Sequence, residues 1–313
     1  MPELPDITVY IERLQALVQG QVLLRLRVLN PFVLRTALPP IASIEGQRVA
    51  SVERLGKRVV LGFDGGALLV IHLMIAGRLR WLAAGAKPPG KLSLASLQFD
   101  AGLLVLTEAG TTRRASIHLL ADRAALAAMD PGGLEIFGCD AAAFAARLRS
   151  ENHTLKRALT NPQLFSGIGN AYSDEILHRA RLSPVTLTRA LDDAAVQRLL
   201  DACRAVLGEW TVRLRNEAAK SGWPDKVTAF RPEMAVHGRF GMPCPDCGAP
   251  VQRIVHAGAP KLARLAAPLG AARRATDNET NYCARCQTGG KLLADRALSR
   301  LLKASWPRHI DDL

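Results

Sequence analysis

The sequence predicts a multi-domain α+β protein: an N-terminal helix with an antiparallel β-sandwich, then a helical domain, then a small cysteine module. Three observations predict it. Apolar residues recur at three- and four-residue spacing from Ile7 to Val18, short strand-like runs separated by turn signals fill residues 22–120, and two Cys-x-x-Cys pairs begin at Cys244 and Cys283. A chain of 313 residues, 49% of them apolar, can bury a sizeable core and divide into roughly two or three domains.

Each element follows in order. Ile7, Tyr10, Ile11, Leu14, Leu17 and Val18 line one face of a helix. Asp6 is its expected N-cap and Gly20 its expected stop, which leaves Pro2 and Glu3 just ahead of the helix. Residues 22–29 have strand composition. Residues 58–63 and 67–73 flank Asp64-Gly65-Gly66, and residues 94–99 and 103–106 flank Asp100-Ala101-Gly102; both insertions are hairpin turn signals. Several short strands with regular turns predict a sandwich or barrel. Residues 129–133, Met-Asp-Pro-Gly-Gly, read as a linker. Helix candidates follow at 141–149, 176–180 and 192–219, the last with Leu199, Leu200, Cys203, Val206 and Leu207 on its apolar face. The expected division is 1–130 for the β domain, 131–149 for a linker and the start of the helical domain, and 150–236 for the helical domain proper. The cysteine module takes 237–290, with an inserted basic arm at about 256–275, and 291–313 form a C-terminal tail.

Lysine and arginine outnumber the acids by 41 to 28, a net charge of +13, which points to a polyanionic partner, either nucleic acid or an anionic membrane surface. No run reaches the roughly 18 apolar residues of a membrane span. The opening Met1–Asp6 carries two acids and no apolar stretch, so no secretory leader is expected. A cytoplasmic protein follows, in which thiols stay reduced and six cysteines suit metal ligation better than disulfides.

Cys244, Cys247, Cys283 and Cys286 have the spacing of a closed four-thiolate site, and one structural zinc ion suits it: soft ligands, no open position, no redox demand. A thiol redox pair is the alternative. Cys139 and Cys203 stand alone among apolar residues and read as core. Gly167-Ile168-Gly169-Asn170 lies between helical stretches. Its backbone N–H groups could hold a phosphate at a helix N-terminus, with an ordinary helix–helix turn as the alternative.

Taken together, these parts resemble the formamidopyrimidine-DNA glycosylase and endonuclease VIII family. The likeness rests on Pro2-Glu3-Leu4-Pro5-Asp6, on Lys57 in a strand expected to begin after Leu55-Gly56, and on His72-Leu73 followed by Gly77-Arg78-Leu79. It extends to residues 165–170, Phe-Ser-Gly-Ile-Gly-Asn, with Tyr172, Asp174 and Glu175, and to His237-Gly238-Arg239 ahead of the first cysteine pair. The resemblance implies a helix-two-turn-helix domain, a zinc-finger hairpin, and a base-excision repair enzyme acting on damaged double-stranded DNA. Such an enzyme removes a damaged base, expected to be an oxidised one, and cleaves the abasic site by β/δ-elimination. It also implies roles. Pro2 is the amine nucleophile, Glu3 the general acid/base and Lys57 a phosphate and charge-stabilising contact. Ile75 stands at a gap-filling position, Arg113 faces the orphaned base, and Gly167, Gly169, Asn170 and Arg239 hold the DNA backbone. A nucleoid-associated monomer with no membrane or obligate protein partner is expected.

The sequence departs from the pattern at Ala115, where the family carries an aromatic wedge, and at Asn278-Glu279-Thr280-Asn281, where it carries an arginine. Either Arg273, Arg274 or Asn281 takes the missing contact, or it is lost. These departures leave open a second function: a DNA-structure or abasic-site binding protein of the same fold with little glycosylase activity.

Overall fold

The computed structural model describes residues 1–109, 112–224, 231–255, 279–294 and 307–312. The expected arm at 256–275, with Arg273 and Arg274, lies outside the described residues, as does most of the segment 291–306. The chain divides into two compact units, Met1–Gly132 with Gly208–Thr228 and Gly133–Leu207 with Ala229–Leu313.

In the first unit, helix α1 spans Leu4–Val18. Its N-cap is Glu3, not the expected Asp6. Pro5 fits within the first turn, where a missing N–H costs nothing, so the helix starts ahead of it. Asp6 still serves the terminus, because its Oδ2 accepts the Glu3 N–H at 3.0 Å. Two four-stranded antiparallel sheets follow. One has the order β1 (Arg25–Val28), β6 (Ser93–Phe99), β7 (Gly102–Glu108), β5 (Gly77–Leu82). The other runs β2 (Val49–Leu55), β3 (Arg58–Phe63), β4 (Leu68–His72), β8 (Ser116–Leu120). Both hairpin signals are turns between paired strands, β3–β4 and β6–β7.

Alternation explains the packing. Val59, Leu61, Leu69, Ile71 and Ile117 point to one side of their sheet and join Leu97, Leu104 and Leu106 of the other, with Ile7, Tyr10 and Leu14 of α1, in a single core. Each such fully buried side chain stabilises the fold by about 1.5–3 kcal/mol before its entropy cost. Trp223 closes the same core, its indole N–H donating to the Leu79 carbonyl at 2.9 Å. The opposite face of the second sheet carries Val60, Leu68 and Val70, covered by Leu126 of the short helix α2 (Arg123–Ala128).

The second unit contains α3 (Ala141–Arg149), α4 (Leu155–Thr160) and α5 (Asn170–Ala180). The 29-residue helix α6, Asp193–Ser221, begins here; its residues from Gly208 belong to the first unit. Cys203 is fully buried on α6, and Cys139 nearly so, as expected of core cysteines. The cysteine module is a two-stranded antiparallel hairpin, β9 (Gln252–Val255) and β10 (Glu279–Tyr282), followed by the short helix α7, Ala284–Thr288. Residues 307–312 are not a loose tail. Leu292 N–H donates to the Arg308 carbonyl and Ile310 N–H to the Gly290 carbonyl, both at 2.8 Å, and Ile310 is buried against Leu292 and Cys283. An apolar side chain at 310 gives this segment a reason to dock that basic composition concealed. Among the described residues, no helix is long and apolar enough to cross a membrane.

Candidate metal centre and nucleic-acid interface

The candidate catalytic residues lie in the first unit. Pro2 is buried just before the N-cap, and Glu3 is 2% exposed at the start of α1. Lys57 is not in a strand. It occupies the two-residue turn Gly56-Lys57 between β2 and β3, closed by the pair Leu55 and Arg58. Gly56 has φ +59°, which an L side chain adopts at a cost, and the turn it opens runs through Lys57, so that β3 begins one residue later than expected.

Arg58 pairs directly with His72 across β3 and β4, and His118 sits opposite Val70 on the same outer face. Burial, then Arg58, Lys57 and His118, push the His72 imidazole down to about 4. Burial, Arg58 and Arg35 lower His118 too. The two imidazoles therefore share their surroundings with three basic side chains, Lys57, Arg58 and Arg35. Cations that suppress one another's charge are relieved by an anion. His72, quoted from the sequence only as a motif position, belongs to this cluster; cross-strand register, which sequence alone does not give, brings it there.

Ile75 is 38% exposed in the turn between β4 and β5, next to Met74 at φ +51°. Arg113 is exposed and donates to the Lys91 carbonyl at 2.6 Å. With Leu29, Asn30, Lys91 and Ser93 it lines a cavity of about 550 Å³. Ala115 is 3% exposed in the sandwich core, so the position expected to carry a wedge faces inward. Glu108 Oε2 accepts the N–H groups of Arg114 and Ala115, each at 2.9 Å, and so anchors the chain that presents Arg113. Sequence reasoning gave Glu108 no role.

The second unit holds the remaining candidates. Gly167 has φ +82°, a left-handed turn that favours glycine, and it redirects the chain into α5. Gly169 is the N-cap of α5 and Asn170 its first, half-buried residue. Lys156 of α4 steadies this terminus, donating to the Asn170 carbonyl and to Asp174 Oδ1, both at 2.6 Å. Asp174 is fully buried and also meets His237 Nδ1 at 2.8 Å and the Asn281 N–H at 3.2 Å. Burial would raise its pKa, but Lys156 and His237 together outweigh that and hold the carboxyl below its ordinary value. Glu175 accepts the N–H groups of Ala235, Val236 and His237 at 2.7–2.9 Å; burial nonetheless leaves its pKa raised. Two adjacent acids on α5 thus pin the segment leading to the first cysteine pair.

Arg239 donates to the Pro232 carbonyl at 2.7 Å and the Pro243 carbonyl at 3.4 Å, bracing the loop ahead of Cys244. Asn281 is 1% exposed, and its side-chain amide donates to Glu279 and Asp174, so it is not the open phosphate contact expected of it. Glu279 is buried as well, 3.9 Å from Arg253 of the paired strand, which answers its charge within the module.

Cys244, Cys247, Cys283 and Cys286 converge, their four sulfurs all within 4.8 Å of one another. Cys247 and Cys283 sulfurs are 3.4 Å apart and those of Cys244 and Cys286 4.0 Å. Each pair sits in a tight turn: the Gly248 N–H reaches the Cys244 carbonyl, and the Cys283 sulfur accepts the Cys286 N–H at 3.5 Å. All four are free thiols. The set can hold one metal ion with no position left open.

Comparison with known proteins agrees with this architecture. The formamidopyrimidine-DNA glycosylase N-terminal domain matches residues 1–114, and the H2TH domain of the same family matches residues 130–219. A formamidopyrimidine-DNA glycosylase of Thermus thermophilus is 33% identical over 264 residues, covering 82% of this chain and 95% of that protein. An uncharacterized formamidopyrimidine-DNA glycosylase-like protein of Mycobacterium tuberculosis is 35% identical over 176 residues, 56% of this chain. The crystal structure of the Thermus thermophilus MutM (Fpg) protein superposes with a TM-score of 0.71 at 30% identity, covering 91% of this chain and 98% of that one. The Lactococcus lactis enzyme bound to DNA containing an abasic site shares the fold, with a TM-score of 0.73 at 22% identity over 91% of this chain and 99% of that one. The chain belongs to the formamidopyrimidine-DNA glycosylase family.

Proposed function

We propose that this chain is a base-excision repair DNA glycosylase with an abasic-site lyase activity, and that the Pro2 amine is its nucleophile. The observation that carries the reading is Pro2 beside the buried Glu3 at the N-terminus of α1, in a chain one-third identical to a formamidopyrimidine-DNA glycosylase.

Removal of Met1 frees a secondary amine. An α-amino group titrates near pH ~8, so a useful fraction is neutral where a lysine is not. The Pro2 nitrogen attacks the sugar C1′, and the bond from C1′ to the base breaks. The base leaves with the electron pair and takes up a proton. The amine loses its proton as the sugar ring opens, giving an iminium, with the former ring oxygen protonated. The iminium acidifies C2′. Loss of a C2′ proton expels the 3′ phosphate, and a second elimination expels the 5′ phosphate. Glu3 lies next to the nucleophile in sequence and moves these protons. Lys57, with Arg58 and His72, stabilises negative charge near the sugar and its phosphates. Asn170 and the N–H groups of the Gly167–Gly169 turn hold a phosphate in the second unit. Arg113 faces the orphaned base, Ile75 stands at the gap, and Arg239 shapes the loop ahead of the metal site. The four cysteines would hold zinc, which supplies a structural cross-link and no step of the reaction. The reading implies a cytoplasmic, nucleoid-associated monomer.

The inward position of Ala115 favours a second reading, an abasic-site binding protein with little glycosylase activity. Borohydride trapping separates the two. The mature chain, its N-terminus verified by mass spectrometry, is tested on abasic, oxidised-base and intact duplexes beside Pro2→Gly. Covalent adducts with the abasic and damaged-base duplexes that P2G loses support the enzyme. Tight abasic-site binding with no adduct supports the second reading.

A further inference from the structure

Four thiolates on a divalent zinc ion leave a net charge of −2, and how long the ion stays depends on N–H groups that disperse that charge. Cys283 has one such donor, the Cys286 N–H. Cys244 is 2% exposed, so solvent contributes little to it. A side chain from outside the module reaches it: His178 of α5, itself 4% exposed, places Nε2 3.3 Å from the Cys244 sulfur. The same nitrogen lies 4.0 Å from Asp246 Oδ2. Both neighbours of Nε2 are acceptors once the thiol is deprotonated. Both contacts are then favourable with the proton on Nε2, in either charge state of the ring.

We propose that His178 is a positioning residue of the metal centre, donating Nε2–H to the Cys244 thiolate and tying α5 to the zinc site. The inference rests on the zinc reading above and goes beyond it. Asp174, Glu175 and His178 are spaced i, i+1 and i+4, one face of α5, and all three contact the segments that carry the cysteines. His178 differs from the other two in touching a ligand atom. The helix that opens at the Gly167–Asn170 turn is in this way bonded, about two turns on, to a sulfur of the metal site.

The test uses the full chain loaded with zinc. Wild type, His178→Phe and His178→Gln are compared for zinc per chain and for the rate of zinc transfer to an excess of a chromophoric chelator. Phenylalanine fills the space without a donor; glutamine restores an N–H. Transfer about 10-fold faster in H178F, with H178Q within about threefold of wild type, is the expected result. Cadmium-113-loaded wild type gives a measurement that no folding defect can confound: a scalar coupling between the metal and the His178 ring proton, transmitted through the N–H···S bond. Wild-type transfer rates in H178F, or no such coupling in the cadmium protein, would overturn the proposal. A wild-type chain that retains no zinc at all would overturn the zinc reading instead.

Discussion

The two compact units reach order by different means. The first is an apolar sandwich in which leucines, isoleucines and valines from two sheets and one helix meet with few buried charges. The second buries a lysine, two acids and two histidines around α5 and gathers four thiols in a module too small for a large apolar core. Apolar burial is non-directional and tolerates small changes, whereas a buried charge is held only while its partners remain. The first unit should therefore soften gradually under mutation, and the second should fail abruptly.

The largest expected effect lies in the second unit. Cys283→Ser, or a strong chelator, should remove zinc and lower affinity for abasic duplex at least about 100-fold, measured by metal analysis and by binding at fixed salt. Near-UV signals of the first unit should stay unchanged; if they collapse as well, the two units are not energetically distinct. Asp174→Ala comes next. It strands Lys156 and His237 without their shared acid and should cost the second unit ~4 kcal/mol, read by hydrogen exchange on α5. In the first unit, Leu104→Ala should cost about 3 kcal/mol through transfer and cavity terms, with exchange rising in the strands and not in α5. Acidification gives the next test. The His72 pKa is lowered on folding, so its contribution is complete above about pH 6.5 and is lost as pH falls from there toward about 4. The loss should reach about 2 kcal/mol, allowing for the ring's partial exposure, and His72→Asn should remove most of it. Last, Glu108→Ala should destabilise by only about 1–2 kcal/mol but should loosen the stem of Arg113, read as faster exchange at Arg114 and Ala115.

The contrast also accounts for what the sequence reveals. The α1 stripe, both hairpin turns and the Cys-x-x-Cys pairs are local patterns, and the structure repeats them with small shifts at Glu3 and Lys57. Those shifts come from Pro5 and Gly56, whose backbone preferences outweigh the capping signal of Asp6 and the strand run after Gly56. Strands β2, β5 and β8 lack flanking turn signals strong enough to delimit them. The Asp174 network was out of reach for another reason: its partners lie 18, 63 and 107 positions away, and no local pattern links them to Asp174. The candidate catalytic residues were legible only through a family's motif, because an N-terminal proline and one lysine have no spacing of their own to betray them.

The cysteine module also has a consequence for how this chain can vary in length. Val255 pairs with Glu279, and the Leu292 N–H bonds to the Arg308 carbonyl, so fixed neighbours bracket two long stretches of sequence, 256–278 and 293–307. Closing a loop costs only about 0.6 kcal/mol for each doubling of its length. Insertions and deletions at those two places should therefore drift almost freely between relatives, while the frame that holds the sulfurs keeps its size.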